Sequence, residues 1–484
     1  QVPNQIYIFV NKQLTDNFFS MKAFSYSILT FFFIAILFLG CTNHQSKDQS
    51  YLFQPRKMFA IPEREPGQTD VIELKCEPID NVRIAIIGLG MRGSGAVRRL
   101  SYIEGATITV LCDVVPKNVE HSQNILREME KPEAVVYTGP DDWKEVCKHK
   151  DVDLVYVCTH WDLHTPIAVL AMENGKHVAV EVPAALTVEE CWQLVNTAEK
   201  TQRHCMMLEN CNYDFFEMAT LNMAQHGLFG EIVHVEGAYI HDLRWLNFDD
   251  TTGYWDMWRL KHNERFDGNL YPTHGLGPIA HILNIHRGDK MDWLVSVSSN
   301  QFGMSEYARE HFGKDSDYST RDYKKGDMNT TIIKTHRGKT MMIQHDVTSP
   351  RPYSRIHMVS GTKGFAQKWP RMGIALEPNG HYWMPDDEMK ELLEEYKHPI
   401  VAEVGERAKE VGGHGGMDFI MDYRLIYCLR NGLPLDQDVY DAAEWSSLVE
   451  LTRISVANSG MPVQIPDFTR GSWEKLKKVT YHSL

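Results

Sequence analysis

The sequence predicts an α/β protein, with a Rossmann-type doubly wound parallel sheet followed by a C-terminal α+β domain that carries a mostly antiparallel open sheet. Three observations support this prediction. Short apolar strands alternate with helical segments in the first part of the chain, and a glycine-rich turn directly follows the first strand. Longer segments with strand periodicity dominate the second part. Short buried strands separated by helices are typical of parallel βαβ units, whereas the longer strands favour an antiparallel sheet.

Composition narrows the class of protein. The 484 residues carry a formal net charge of -14, and 43% of them are hydrophobic, which suffices for two or three domains with cores of their own. The acidic balance argues against a nucleic-acid partner, because no basic surface would displace condensed counterions. No apolar run is long enough to span a bilayer, which argues against a multi-pass membrane protein.

The N-terminal segment resembles an export signal. Residues 1–20 show no helix or strand period, so we expect them to lie upstream of the native start. Residues 21–40 carry an early lysine and then an apolar run, as a signal peptide does. The run ends at Gly40-Cys41 before a polar stretch, which resembles a bacterial lipoprotein cleavage site. We therefore expect an exported protein, lipid-anchored in the cell envelope through Cys41, with a tether over 41–79. An ordinary secretory signal is the alternative.

Residues 80–208 form the predicted dinucleotide-binding domain. Its first strand is Val82–Ile87, and further short apolar strands are predicted over 107–112, 134–137, 154–158, 177–180 and 205–208. Helical periodicity lies between them, for example over 118–130, 166–174 and 188–201. In such a sheet the ligand binds outside the carboxyl ends of the strands.

The turn after the first strand matches the GxGxxG fingerprint. Gly88 permits the tight turn, Gly90 lets the backbone approach a pyrophosphate, and Gly93 permits close packing of the helix on the strand. Met91 and Arg92 lie in the same loop, where the helix N-terminus offers free N–H groups to phosphates.

Asp113 ends the second strand, twenty residues beyond the last glycine of the fingerprint. A carboxylate at this place binds a ribose 2′-hydroxyl and repels a 2′-phosphate, which predicts NAD rather than NADP as the cofactor. A simple turn residue is the alternative interpretation of Asp113.

Two further strand ends are expected to face the dinucleotide. The fourth strand leads into Trp161, Asp162, Leu163 and His164, and the fifth leads into Glu181 and Val182. The alternative is that Trp161 and His164 only pack against the helix that follows them.

Residues 209–470 form the predicted second domain, and 471–484 a C-terminal tail. Strands are predicted over 232–240, 293–298, 328–336, 340–348 and 354–360. Helices over 276–285, 418–429 and 439–457 are expected to pack on one face of the resulting sheet.

Over residues 80–470 the chain resembles the Gfo/Idh/MocA family of NAD(P)-dependent sugar oxidoreductases. That family has a Glu-Lys-Pro motif after the fifth strand, whose lysine assists proton transfer, whereas this chain has Glu181-Val182-Pro183. The family's Asp-x-x-x-His pair is also altered, since Leu270 stands four residues before His274. Both departures argue against ordinary dehydrogenase turnover.

Five segments resemble glycoside hydrolase family 109, whose members share the oxidoreductase fold and are known as α-N-acetylgalactosaminidases. They lie at 161–164, 209–213, 258–262, 271–278 and 412–418. The resemblance implies a glycosidase in which tightly held NAD+ takes hydride from C3 of the sugar and returns it after elimination and water addition. Such a cycle departs from the usual two-carboxylate scheme of glycosidases.

Export favours the same cycle on physical grounds, because an envelope enzyme has no cytoplasmic NAD pool and a cofactor that ends each turnover as NAD+ can stay bound. The expected partner is the terminal amino sugar of glycoprotein or glycolipid glycans, and self-association into a homo-oligomer stays open. Two alternatives are an exported NAD-dependent sugar oxidoreductase and a glycan-binding lipoprotein without activity.

Aromatic, histidine and arginine residues are dense between 239 and 274, which suits a sugar pocket. His274 is the expected general acid or base, and Tyr271 and Tyr239 are its expected partners in proton transfer. The expected substrate contacts are Arg259, Tyr271, Pro272, Thr273, His274 and Tyr353, and Asn210 is expected at the nicotinamide or its ribose. His241 and His414 are further candidates. For each residue a structural role is the alternative. No histidine spacing typical of a metal site occurs, so no metal is expected.

Overall fold

A computed structural model describes residues 57–482. The predicted upstream segment 1–20, the signal peptide 21–40 and the lipidation site Cys41 lie outside the described residues. No helix within 57–482 combines the length and the apolar character needed to cross a membrane. Residues 57–79 form no helix, but Arg64 pairs with Glu199 and the Val71 N–H donates to the Tyr440 hydroxyl. These contacts hold the described half of the predicted tether against the folded body, so the folded part begins before residue 80.

The first sheet has six parallel strands and confirms the predicted Rossmann-type architecture. The strands are β1 (Val82–Ile87), β2 (Ala106–Cys112), β3 (Val135–Tyr137), β4 (Leu154–Val157), β5 (His177–Val180) and β6 (Cys205–Met207). Their order is β3-β2-β1-β4-β5-β6. The chain therefore reverses direction across the sheet between β1 and β4, which is where a doubly wound sheet binds its ligand.

Helices connect these strands on both faces of the sheet, as parallel strands require. They are α1 (Met91–Leu100), α2 (Pro116–Glu128), α3 (Trp143–Lys148), α4 (His164–Glu173) and α5 (Val188–Thr201). The sequence defines α5 at both ends. Thr187 and Glu190 form a capping box before it, and Gln202 ends it in the left-handed conformation.

The second sheet is mostly antiparallel, as predicted. Its strands are β7 (Ile232–Ile240), β8 (Met291–Ser298), β9 (Asn329–Thr335), β10 (Thr340–Asp346), β11 (Met358–Gly361), β12 (Gly364–Gln367), β13 (Gly373–Leu376) and β14 (Val463–Gln464). Their order is β13-β12-β11-β7-β10-β9-β8-β14, and within this sheet β7 and β10 form the one parallel pair. The prediction of a continuous strand over 354–360 is wrong, because Ile356 and His357 have left-handed backbone conformations that interrupt it.

The remaining helices are α6 (Phe215–Gln225), α7 (Arg244–Asn247), α8 (Trp258–Arg265), α9 (Thr273–Ile282), α10 (Gly303–Phe312), α11 (Asp317–Thr320), α12 (Asp386–Glu395), α13 (Pro399–Val411), α14 (Met417–Asn431) and α15 (Val439–Ala457). Helix α15 is buried along most of its length, because it packs against α5 on one side and β8 on another. It therefore joins the first sheet's helical layer to the second sheet.

Candidate active site

A cleft with about 1280 Å³ of empty space, part of it open to solvent, lies at the carboxyl ends of the first sheet's strands. Most of the predicted cofactor residues line it, namely Gly88, Gly90, Met91, Arg92, Asp113, Trp161, Leu163, His164, Glu181 and Val182. From the second part of the chain it is lined by Gly253, Tyr254, Trp255, Trp258, Arg259 and Tyr271. Of the predicted substrate residues, Arg259 and Tyr271 thus share this space with the cofactor residues.

The glycine turn fits a dinucleotide. A Cβ at Gly93 would lie 1.8 Å from the Gly88 carbonyl oxygen, so the start of α1 approaches β1 as closely as backbone allows. A Cβ at Gly90 would meet no protein atom within 4 Å, which leaves open space beside the first N–H groups of α1. A pyrophosphate in that space would face the positive end of the helix.

Asp113 holds the end of β2 against the glycine turn. Its Oδ2 accepts a hydrogen bond from the Leu89 N–H at 2.6 Å, and its Oδ1 accepts one from the Val115 N–H at 2.7 Å. Each carboxylate oxygen has a second lone pair. The carboxylate at the edge of the cleft can therefore also accept hydrogen bonds from a ribose.

The side chain of Arg92 links the glycine turn to the second part of the chain. Its guanidinium donates to Glu181 at 2.7 Å and to Asp418 at 2.9 Å. Asn210 donates to the other oxygen of Asp418 at 2.5 Å, and His414 Nδ1 lies 2.9 Å from Asp418. Burial alone would raise the pKa of Asp418, but the charges of Arg92 and Arg99 and the hydrogen bond with His414 outweigh it and hold that pKa well below its usual range. Asn210 is thus buried behind the cleft rather than among its lining residues.

The residues after β4 make contacts with different parts of the protein. Trp161 donates from its indole N–H to the Val182 carbonyl at 3.1 Å, which joins the two strand ends. Asp162 lies off the cleft lining, where its carboxylate is 3.1 Å from His262 Nε2. His164 is buried with Nδ1 2.8 Å from the Pro183 carbonyl and Nε2 3.0 Å from the Thr159 carbonyl. The neutral ring can donate to only one of these oxygens at a time.

His274 is held by Glu209, which was not among the predicted site residues. Nδ1 of His274 lies 2.8 Å from Oε1 and 3.0 Å from Oε2 of this fully buried carboxylate. The contact depends on close backbone packing, since a Cβ at Gly275 would lie 2.3 Å from the Ala238 amide nitrogen. Helix α9 therefore lies directly on β7. Burial alone would raise the pKa of Glu209, but the neighbouring His274 outweighs it and the pKa is lowered.

Tyr239 on β7 is the centre of an aromatic cluster around His274. Its ring centroid lies 5.3 Å from that of His274 and 4.8 Å from that of Tyr271. Tyr271 in turn lies 4.9 Å from His274 and lines the dinucleotide cleft. Burial raises the pKa of both tyrosines, against the opposing effect of Arg259, so both phenols are protonated at neutral pH.

Arg259 on α8 is a cation surrounded by aromatic rings. Its guanidinium carbon lies 4.4 Å from the Tyr254 ring centroid, 4.9 Å from that of Tyr271 and 5.0 Å from that of Trp161. Its Nε is buried without a hydrogen-bond partner among residues 57–482. An acceptor atom of a substrate is suited to this unpaired N–H.

The remaining predicted substrate residues lie around this cluster. Pro272 and Thr273 begin α9, and Thr273 is fully buried. Tyr353 is 36% exposed, and its ring lies 6.4 Å from that of Tyr239 and 5.0 Å from that of His241. Burial lowers the pKa of His241. His414 stands apart beside Arg92 and Asp418, as described above.

One group of side chains in this cluster has the composition of a metal site. Ligand atoms of Glu209, Cys211 and His274 lie within 4.8 Å of one another. However, His274 Nδ1 already binds Glu209, and burial raises the pKa of the Cys211 thiol well above its usual range. The expectation that the protein uses no metal stays a prediction.

Two family models match the chain. Residues 82–209 match an oxidoreductase family with an NAD-binding Rossmann fold, and residues 213–475 match the C-terminal domain of glycosyl hydrolase 109. An α-N-acetylgalactosaminidase of Bacteroides fragilis is 57% identical over 412 residues, which cover 85% of this chain and 97% of that protein. A glycosyl hydrolase family 109 protein of Porphyromonas gingivalis is 51% identical over 431 residues, which cover 86% of this chain and 90% of that protein.

Solved structures of sugar oxidoreductases share the fold. A levoglucosan dehydrogenase in complex with NADH and levoglucosan superposes with a TM-score of 0.61 at 17% identity, covering 80% of this chain and 100% of its own. A scyllo-inositol dehydrogenase from Lactobacillus casei with bound NAD(H) and scyllo-inositol gives a TM-score of 0.56 at 13% identity, covering 80% of this chain and 99% of its own. The resemblance found in the sequence is confirmed, as is the expectation of an enzyme: the chain belongs to glycosyl hydrolase family 109 and is a glycoside hydrolase with an NAD-binding Rossmann domain.

Proposed function

We propose that this protein is an NAD+-dependent retaining exo-glycosidase that removes terminal N-acetylhexosamine, specifically α-N-acetylgalactosamine, from glycoprotein or glycolipid glycans. The observation that carries the proposal is the continuity between the dinucleotide cleft and His274. Tyr271 lines the cleft, and its ring lies 4.9 Å from that of His274. The Bacteroides fragilis relative is named an α-N-acetylgalactosaminidase, which supports the choice of sugar.

The cofactor would lie with its pyrophosphate at Gly90 and its adenine ribose at Asp113. The chemistry that NAD+ supplies when bound is reversible removal of a hydride from C3 of the sugar, which acidifies the proton at C2. Because the cycle ends with the hydride back on the sugar, the same cofactor can serve every turnover. A tightly held cofactor is therefore part of the proposal.

His274 is the proposed base. When its Nδ1–H donates to Glu209, the lone pair of Nε2 is free to accept a proton from the sugar, and the carboxylate stabilises the imidazolium that forms. Tyr239 and Tyr271 are protonated at neutral pH, so they are suited to donate hydrogen bonds or a proton to sugar oxygens. Arg259 lies beside both phenols and stabilises the negative charge that remains when either gives up its proton. Val182 cannot transfer a proton at the place where the oxidoreductases have lysine.

Isotope exchange tests the reaction. We expect that hydrolysis of an aryl α-N-acetylgalactosaminide in deuterated water places deuterium at C2 of the released sugar, since a proton is removed there and later replaced. Hydrolysis without deuterium at C2 would contradict the proposed cycle. NADH formation from free sugar, with no aglycone released from the glycoside, would instead favour an exported sugar oxidoreductase.

We also propose that the protein is exported and anchored to the cell envelope through a lipid on Cys41. A cofactor restored in each cycle suits a compartment without a cytoplasmic NAD pool. In cells, we expect the native protein to partition into the detergent phase and to incorporate labelled palmitate, and Cys41→Ser to lose both. Equal labelling of the two forms would contradict the anchor.

A further inference from the structure

Tyr353 lies at the edge of the aromatic cluster around His274, and Arg355 donates a hydrogen bond to its hydroxyl. Nη1 of Arg355 donates a hydrogen bond to the phenolic oxygen at 2.9 Å. Tyr353 is still 36% exposed, whereas Arg355 is only 3% exposed. The Tyr353 hydroxyl therefore has a fixed protein partner, while part of the residue is exposed to solvent.

Arg355 is itself held in place by two carboxylates and an aromatic ring. Its Nη2 donates to Asp214 at 2.5 Å and to Glu217 at 2.5 Å. Its guanidinium carbon lies 4.8 Å from the ring centroid of Trp369. A planar guanidinium bound at several points has little freedom to rotate away from Tyr353.

Lys368 shares the two carboxylates without touching Tyr353. Its Nζ lies 2.6 Å from Asp214 and 2.8 Å from Glu217. The ion network thus contains two cations, of which one contacts the tyrosine and the other does not. This difference provides a matched control.

The chemistry of these groups determines what Tyr353 offers to a ligand. An arginine has donors and no acceptor, so the phenolic oxygen must accept in the contact with Arg355. The O–H of Tyr353 then remains free to donate, and no acceptor within residues 57–482 forms a hydrogen bond with it. We propose that Arg355 is a positioning residue that fixes Tyr353 as a hydrogen-bond donor to an acceptor oxygen of the terminal sugar. This inference rests on the proposed glycosidase function.

The test compares Arg355→Met with Lys368→Met, and both with Tyr353→Phe, on an aryl α-N-acetylgalactosaminide. We expect Arg355→Met to raise KM about 3- to 10-fold, as loss of one hydrogen bond does, with kcat within about 2-fold of wild type. We expect Lys368→Met to lower the melting temperature but to leave KM within about 2-fold of wild type. In a Tyr353→Phe background, Arg355→Met should add no further increase in KM, because both changes remove the same bond.

Arg355→Lys extends the test if the methionine variant does not fold. It keeps a cation beside both carboxylates but loses the planar fork, so we expect the same rise in KM. Unchanged KM in a folded Arg355 variant would overturn the inference, as would fully additive effects of the Arg355 and Tyr353 substitutions. Failure of the wild-type protein to hydrolyse the glycoside would instead contradict the proposed function itself.

Discussion

Glu209 holds the imidazole of His274 through Nδ1, at 2.8 Å and 3.0 Å from its two carboxylate oxygens. The glutamate is fully buried and its negative charge faces the ring. This contact leaves Nε2 as the ring nitrogen that is free to exchange protons in the site. In this chain Glu209 supplies a carboxylate to the histidine although Leu270 stands where the oxidoreductases have aspartate.

The first prediction concerns that carboxylate. Glu209→Gln keeps the shape of the side chain but removes the charge that stabilises a protonated His274. We expect kcat to fall by about 100-fold or more, since general acid–base catalysis contributes on that scale. The measurement is kcat for an aryl α-N-acetylgalactosaminide together with the NAD content of the purified variant.

Glu199→Gln is the matched control for this change. Glu199 is also buried and ion-paired, with Arg64 and Arg470, but it lies outside the residues that line the cleft. We expect lower stability with kcat near that of wild type. Equal losses of kcat in the two variants would mean that Glu209 acts only through stability.

The second prediction concerns the choice of cofactor. Asp113→Asn removes the charge that accepts from the ribose and weakens the link to Leu89, so we expect NAD+ affinity to fall by about 10- to 100-fold. Affinity for NADP+ should fall less, because repulsion of the 2′-phosphate is also removed. Titration of cofactor-free protein with NAD+ and with NADP+ measures the two affinities. Asp153→Asn is the control, because it changes a carboxylate that pairs with Arg83 instead. An unchanged ratio of the two affinities would contradict this assignment of Asp113.

The third prediction concerns retention of the cofactor. Trp255 lines the cleft and stacks on His160, with ring centroids 6.1 Å apart and an interplanar angle of 21°. Removing such an aromatic contact costs on the order of 0.5–1.5 kcal/mol. We therefore expect Trp255→Ala to release NAD about 2- to 10-fold faster.

Release can be followed by dilution of the holoprotein into a scavenger of free NAD. Trp245→Ala is a suitable comparison, because Trp245 is 56% exposed against 52% for Trp255 but does not belong to the cleft lining. The rate of NAD release from Trp245→Ala should match that from the wild type. If both tryptophans affect the rate equally, the contact of Trp255 with His160 does not explain retention.

Local patterns in the sequence predict the regular elements well. Helices 188–201 and 439–457 and the strand 232–240 have the predicted bounds, because each has a cap or a turn at its ends. The glycine fingerprint and Asp113 are similarly local, since one βαβ unit contains them all. The strand over 354–360 fails because its hydrophobic pattern gives no sign of the two left-handed residues.

The contacts that organise the site are not local, so the sequence alone could not predict them. Glu209 and His274 are 65 residues apart, and they meet because α9 lies on β7 with Gly275 against Ala238. Gly275, directly after His274, is the one local sign of close backbone packing here, but it does not identify Glu209 as the partner of His274. Arg92 was expected at the cofactor and also pairs with Asp418, 326 residues away. Such pairs follow from the packing of α9 on β7 and of α14 on α1.

The last prediction concerns stability in mild acid. His177 and His204 are buried neighbours with ring centroids 5.0 Å apart, and the backbone N–H of His204 donates to Nδ1 of His177. Burial lowers the pKa of His177 to about 4 and that of His204 to about 3, so both rings are neutral in the folded protein. In the unfolded chain each takes up a proton near pH 6.5. The free energy of unfolding therefore falls as the pH drops from about 6.5 towards 4, by up to about 1.4 kcal/mol per pH unit for each ring.

His204→Phe removes one of these protons and a buried Nε2 that has no hydrogen-bond partner within residues 57–482. We expect urea unfolding at pH 7.5, 6 and 5 to show a slope against pH that is shallower by up to about 1.4 kcal/mol per unit. His381→Gln, at an exposed histidine, should leave the slope unchanged. A wild-type slope in His204→Phe would mean that protonation of this pair does not limit acid stability. Activity at pH 7.5 should match the wild type, because both rings lie at the amino ends of β5 and β6, opposite the cofactor cleft.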